Sequence, residues 1–280
     1  MEIRRIAIGE VSLSYNERSG AGRPLVLLHG LTGHRDDFRP CMAELAGTRR
    51  LLVPDLRGHG DFTRTGRAET CSFAQLVEDL RQLLDAWGSP SCDLLGHSFG
   101  GMVALRFALA YRERLASLIL MSTAPFCPDA FTRAAFEKGG AIARERGMAF
   151  LQERIERRAR ANDRPSAADR QAAKWADAYW AHHRLRFRAM DPVAYGALGV
   201  AMVEQEPVTD RLAEIRCPTT VLVGAEDEEF LAGADALAAG IGQARRVTLP
   251  DAGHHPHREN PGAWLAAVAD HLAAAAREDC

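Results

Sequence analysis

A chain of 280 residues with 47% hydrophobic and 26% charged side chains is long enough to bury one large core and to carry an inserted segment. A formal net charge of −2 supplies no basic field for nucleic acid and no polybasic anchor for a membrane, so neither partner is expected. Residues 1–5 run into an alternating pattern rather than a signal-peptide core, and Asp270 and His271 interrupt the Ala-rich tail, which predicts a cytoplasmic protein. The six cysteines are scattered without C-x-x-C spacing, so no zinc site, redox motif or other cofactor is expected.

Residues 3–9 and 11–16 alternate as an opening hairpin, and residues 24–28 form a short apolar strand. Residues 37–46 read as a helix and 50–53 as a strand. Residues 72–87 form a well-marked helix, with Ser72 at the N-cap, Gln75 three residues on, and Phe73, Leu76, Val77, Leu80, Leu83 and Leu84 along one face. Gly88 lies just past its end. A strand through Cys92–Leu95 leads into a helix that runs to about Tyr111, and residues 118–121 form the next strand. From Pro125 to about Val208 the strand signals stop and Arg- and Ala-rich helical sequence takes over. Glu153 with Arg157 and Glu156 with Arg160 are i,i+4 pairs there, opposite Met148, Leu151 and Ile155. Strands resume at 219–223 and 246–249, separated by a helix over 231–239 and followed by a helix from Ala263. Eight strand signals interleaved with helices predict an α/β fold with a mostly parallel sheet flanked by helices. The expected organisation is a core of residues 1–124 and 209–280, with residues 125–208 inserted as a helical cap.

The most telling run is Gly96-His97-Ser98-Phe99-Gly100, set between a strand and a helix. A strand that turns sharply into a helix exposes one strained side chain at the apex, and neighbours carrying Cβ atoms would clash there. Gly101 lets the new helix sit close to the sheet. A serine hydroxyl needs a base, and the base needs an orienting carboxylate. Asp227 follows one apolar strand in Gly224-Ala225-Glu226-Asp227, and His254 follows the next in Asp251-Ala252-Gly253-His254. Both fall beyond carboxyl ends of strands, where open α/β sheets gather their sites. Glu226, Glu228 and Glu229 flank Asp227, while His255 and His257 are rival bases in the same loop. His97 and His29 read as residues that pack or shape loops, His59 as a structural part of its turn, and His182 and His183 as surface or packing residues.

With these pieces assembled, the chain resembles the α/β-hydrolase superfamily over nearly all of its length outside the insert. The likeness rests on His29-Gly30-Leu31, Asp55-Leu56-Arg57-Gly58-His59-Gly60, the Ser98 turn, Gly224 to Asp227, and Gly253-His254 with Glu259-Asn260-Pro261. The resemblance implies Ser98 as nucleophile, His254 as general base and acid, Asp227 as the orienting acid, and the Leu31 and Phe99 backbone N–H groups as the oxyanion hole. One departure from the family pattern is Asp61-Phe62, where many relatives have serine after Gly60; it puts that loop's shape in question.

Serine rather than a carboxylate at the apex argues against epoxide and halide chemistry and favours small hydrophobic esters or lactones. Trp175, Tyr179 and Phe126 of the insert are candidate pocket residues. Two alternatives share these parts: a carbon–carbon or enol-lactone hydrolase and a hydrolase-like ligand-binding receptor. The first takes acidic substrates, so an inward-facing arginine among Arg184, Arg186 and Arg188 would favour it; His97 and the run Pro256-His257-Arg258-Glu259 differ from the Asn and Q-W-E of carbon–carbon hydrolases. The expected partner is a small-molecule ester or lactone, with the chain a monomer or homodimer.

Overall fold

The computed structural model describes residues 4–47, 49–161 and 167–278, with the side chains of 167–172, 174–176 and 278 outside the described set. β1 (Arg4–Ile8) and β2 (Val11–Arg18) pair antiparallel, as the hairpin signal predicts. β2 pairs antiparallel with β4 (Leu51–Pro54), while β3 (Leu25–Leu28), β5 (Cys92–His97), β6 (Leu115–Met121), β7 (Thr219–Gly224) and β8 (Ala244–Leu249) continue the sheet in parallel. The order is β1-β2-β4-β3-β5-β6-β7-β8. Parallel strands send the loops after β3, β5, β6, β7 and β8 to one edge, so residues far apart in sequence meet there.

Period-two alternation divides the buried strand residues between two cores. Val26, Leu28, Leu94, Leu118, Leu120, Val221 and Val223 face one core with α2 (Phe73–Ala86), α3 (Phe99–Ala110) and α8 (Glu228–Gly240). Leu25, Leu27, Leu95, Ile119, Met121 and Leu222 face the other, with α1 (Met42–Leu45) and α10 (Pro261–Glu278). Trp264 of α10 is fully buried there. The helix expected over 37–46 is shorter: a 3-10 turn, Arg39–Cys41, precedes the four residues of α1. Pro40 has no N–H to donate, and the Asp37 carboxylate bonds elsewhere instead of capping a helix.

Between β6 and β7 lie α4 (Arg133–Arg146), α5 (Met148–Arg160), α6 (Ala167–Arg188) and α7 (Pro192–Val203). Glu156 pairs with Arg160 at 3.0 Å and with Arg184 of α6 at 3.0 Å, whereas Glu153 and Arg157 do not pair. His182 of α6 reaches the loop after β3 and meets Asp37 Oδ1 at 2.6 Å. α9 (Pro256–Glu259) is a single turn ahead of α10. Among the described residues, no helix is long and apolar enough to cross a membrane.

Candidate active site

Ser98 joins β5 to α3 with φ +54° and ψ −121°, a conformation that costs about 1–3 kcal/mol for a residue with a side chain. The surroundings hold it there. Its N–H donates to Met121 O at 2.9 Å, and its carbonyl accepts from Gly101 N at 2.9 Å and Thr123 Oγ1 at 2.7 Å. A Cβ on Gly96 would lie 2.5 Å from Gly100 O, and one on Gly101 would lie 2.6 Å from the Thr123 side chain. The bare backbone expected on either side of the turn is therefore a packing requirement.

The edge of the sheet brings Ser98, Asp227 and His254 together. His254 Nε2 lies 3.0 Å from Ser98 Oγ, and His254 Nδ1 lies 3.2 Å from both Asp227 oxygens. A carboxylate can only accept, so Nδ1 carries the ring proton and Nε2 is free to accept the Ser98 O–H. Burial disfavours charge on both groups, yet each overrides it for the other. Asp227 holds the imidazole above its ordinary pKa, and His254 holds the carboxyl below the usual range. Such a hydroxyl, imidazole and carboxylate can transfer a proton away from serine as it attacks an electrophile.

Neighbours pin the two loops. Glu226 N–H donates to Ala252 O at 2.9 Å, Glu259 accepts from Gly253 N at 2.5 Å, and Asn260 Nδ2 donates to Pro250 O at 2.8 Å. Phe230 stacks on the His254 ring at 4.7 Å. His255 stands perpendicular to His254, and His257 packs between Phe38 and Trp264. Of the three neighbouring histidines, His254 alone meets Ser98.

Two further histidines shape the loop after β3. His29 Nε2 accepts from Leu56 N–H at 3.0 Å, which puts its proton on Nδ1, 2.8 Å from Gly30 O. His59 Nε2 accepts from Thr32 N–H at 3.2 Å, and its Nδ1 lies 3.1 Å from Arg57 O. Burial pushes their pKa values down to about 4 and about 3, which keeps both rings neutral and these tautomers in place. With Thr32 tied to His59 and Gly33 N–H tied to Gly30 O, neither the Leu31 N–H nor the Phe99 N–H at the start of α3 has an acceptor among the described residues. Asp61 pairs with Arg35 at 3.6 Å and Phe62 is exposed under Arg5, so the departure after Gly60 falls on the outer side of its loop.

Tyr179 lines a cavity of about 160 Å³ with His255, His257 and Arg258. Phe126 is half-buried and packs on the core beside the large cluster. Trp175 lies in α6, but its side chain is outside the described residues. His183 is buried and stacks on Phe187 at 4.4 Å, a packing role, whereas His182 bonds across to Asp37. Arg184 turns to Glu156 and Arg188 is exposed, but Arg186 is 8% exposed, with a buried Nε that makes no hydrogen bond. It lies one turn on from His182 and His183 in α6, and its charge helps hold the Asp37 carboxyl down and the His183 and His255 rings neutral. Sequence reading left Asp37 and the singular position of Arg186 unassigned. The signal was the spacing of Tyr179, His182, His183 and Arg186 at i, i+3, i+4 and i+7 on one side of α6.

Fold and site now define a class. The profile of the alpha/beta hydrolase fold family matches residues 23–261, and the chain belongs to that family. It is 31% identical over 268 residues to the 2-succinyl-6-hydroxy-2,4-cyclohexadiene-1-carboxylate synthase of Enterobacter sp. (strain 638), spanning 92% of this chain and 96% of that protein. The structure resembles a thermophilic esterase from Thermogutta terrifontis with TM-score 0.81 and 27% identity, over 98% of this chain and 99% of that one. It also shares its fold with the enol-lactonase of Burkholderia xenovorans LB400, with TM-score 0.83 and 24% identity over 96% and 100% of the two chains.

Proposed function

We propose that the protein is a serine hydrolase that opens an ester or lactone by acyl transfer to Ser98. The observation that carries this reading is the 3.0 Å approach of His254 Nε2 to Ser98 Oγ, with Asp227 on the opposite ring nitrogen. In this mechanism His254 takes the Ser98 proton as the oxygen attacks the carbonyl carbon. The carbonyl electron pair moves onto oxygen, where the Leu31 and Phe99 N–H groups receive the charge. Collapse breaks the ester bond, the leaving oxygen takes the proton from His254, and Ser98 is left acylated. Water, deprotonated by His254, then releases the acid and restores the hydroxyl. Residues 125–208 act as a cap over this edge, and Tyr179 of the cap lines a cavity beside it with His255 and His257. The likeness to an esterase at 27% identity supports the same chemistry.

Arg186 favours a substrate that carries a carboxylate. Among the described residues, no acidic group lies within ion-pair distance of it, and Asp37 is already bonded to His182. Asp37 serves Arg186 only as a longer-range counter-charge, so the guanidinium makes no ion pair of its own among the described residues, and a carboxylate matches its planar fork. The relative named for a carboxylate agrees with this reading.

A substrate panel tests both points. p-Nitrophenyl acetate to octanoate are compared with the mono-p-nitrophenyl esters of succinate and glutarate, in the parent and in Ser98→Ala and Arg186→Gln. Ser98→Ala is expected to lose all turnover and all labelling by a fluorophosphonate. Arg186→Gln is expected to raise KM for the charged esters by about 10- to 100-fold while leaving the neutral ones within twofold. Turnover retained in Ser98→Ala sinks the acyl-enzyme, and equal losses on charged and neutral esters sink the carboxylate reading. A burst with negligible steady-state rate points instead to a ligand-binding receptor.

A further inference from the structure

His97, the last residue of β5, is 2% exposed and lies on the same strand face as Leu95, away from the apex that presents Ser98. Its Nε2 is 2.7 Å from the main-chain carbonyl of His254. A carbonyl only accepts, so Nε2 carries the proton and Nδ1 is a bare lone pair, buried without a partner. The ring packs against those of His254, His255 and His257, with centroids at 4.9, 5.2 and 5.3 Å. On its other side lies the loop after β3. A Cβ on Gly30 would fall 3.3 Å from His97 Nδ1 and 3.1 Å from Ser98 Cβ, so that loop rests on both residues at once.

We propose that His97 is a positioning residue that sets where the base and the Leu31 loop stand relative to Ser98. The proposal rests on the acyl-transfer reading. The side-chain bonds of His254 fix the plane of its ring, but its backbone must also be placed. Glu259 grips that backbone at Gly253 N, and His97 grips the next carbonyl at His254. Because His97 precedes Ser98 directly in the chain, the grip ties the base to the residue it must deprotonate. Burial pushes the His97 imidazole down to about 3, so it stays neutral in its Nε2–H tautomer and adds no repulsion when His254 becomes charged. A displacement near 1 Å in such a constellation costs on the order of 100-fold in rate.

The test compares His97→Phe, which keeps bulk and removes the donor, with His97→Gln, whose amide N–H reaches about as far as Nε2. His97→Asn, too short to reach the carbonyl, replaces the Phe variant if that variant does not fold. Steady-state kinetics, the pH profile of kcat/KM, the melting temperature and an NMR titration of His254 are measured on each. The Phe variant is expected to lose about 10- to 100-fold in kcat with KM within twofold, and to shift the His254 titration. The Gln variant is expected to recover most of both. Unchanged kcat and titration in the Phe variant overturn the proposal. So do equal losses in the Phe and Gln variants that follow melting temperature while the titration stays put. Ser98→Ala is run alongside: if it turns over, the acyl-transfer reading falls, while the His254 titration still judges His97 without any turnover.

Discussion

The charge on His254 is set by two opposing effects, burial against it and the Asp227 carboxylate for it, and the carboxylate wins. In the proposed acyl transfer the base must be neutral to take a proton, so activity is expected to be lost as pH falls through the His254 pKa, which lies above the ordinary histidine value of about 6.5. Asp227→Asn removes the strongest upward influence. The acid limb of kcat/KM is expected to move to lower pH, and kcat to fall on the order of 10³- to 10⁴-fold, as rate measurements across pH 5–9 would read. A limb that stays in place would mean that another group governs it. At this scale Ser98 was legible because the sterics of a sharp turn act among contiguous residues. Asp227 and His254 were legible because each directly follows a strand. The bond from Asp37 to His182 was not, since it joins residues 145 apart in sequence and depends on where α6 docks.

α2 shows how an element supports the site from behind, with Phe73 packed on the Phe99 ring at 5.1 Å. Ser72 Oγ accepts from Gln75 N–H at 3.2 Å as the N-cap. The Gln75 side chain, however, bonds Asp79 at 2.9 Å instead of returning to Ser72. Asp79 in turn receives two bonds of 2.7 Å from the buried guanidinium of Arg57, in the loop that carries His59 and so steadies Thr32. Ser72→Ala is expected to cost about 1 kcal/mol in chemical denaturation. Asp79→Ala leaves the buried arginine with only its 3.6 Å pair to the exposed Glu10 and is expected to cost about 3 kcal/mol. Equal midpoints for the two variants would show that the Arg57 pair contributes no more than a cap. The existence and face of α2 could be read from its apolar period, whereas its anchoring of Arg57 could not, because a helix's polar residues choose partners only once neighbouring loops are in place. Asp37 likewise bonds outside the helix expected over 37–46 instead of capping it, where Pro40 already lacks an N–H to donate.

Across the whole molecule, burial holds eight of the ten histidines below their ordinary pKa: His29, His34, His59, His97, His183, His255, His257 and His271. Above pH 6.5 such a ring is neutral folded or unfolded and has no effect. Below it the unfolded chain binds protons that the folded one refuses, so stability falls, by up to about 1.4 kcal/mol per pH unit for each ring. Asp55, which burial raises to about 7, acts in the opposite direction, as do Glu259, raised by burial, and His254, raised by Asp227, three groups against eight. Acid unfolding followed by circular dichroism is therefore expected with a steep midpoint above about pH 5, and full stability at pH 4.5 would contradict it. Sequence alone determined the α/β class, the strand order along the chain, the helical stretch between β6 and β7, and the residues at the strand ends, because periodicity and turn sterics are local. Tertiary structure alone decided which of Arg184, Arg186 and Arg188 is buried, how the loop histidines divide their protons, and that His97 meets the His254 carbonyl. Those outcomes depend on burial and on distances between segments that meet only when the parallel sheet gathers its loops at one edge.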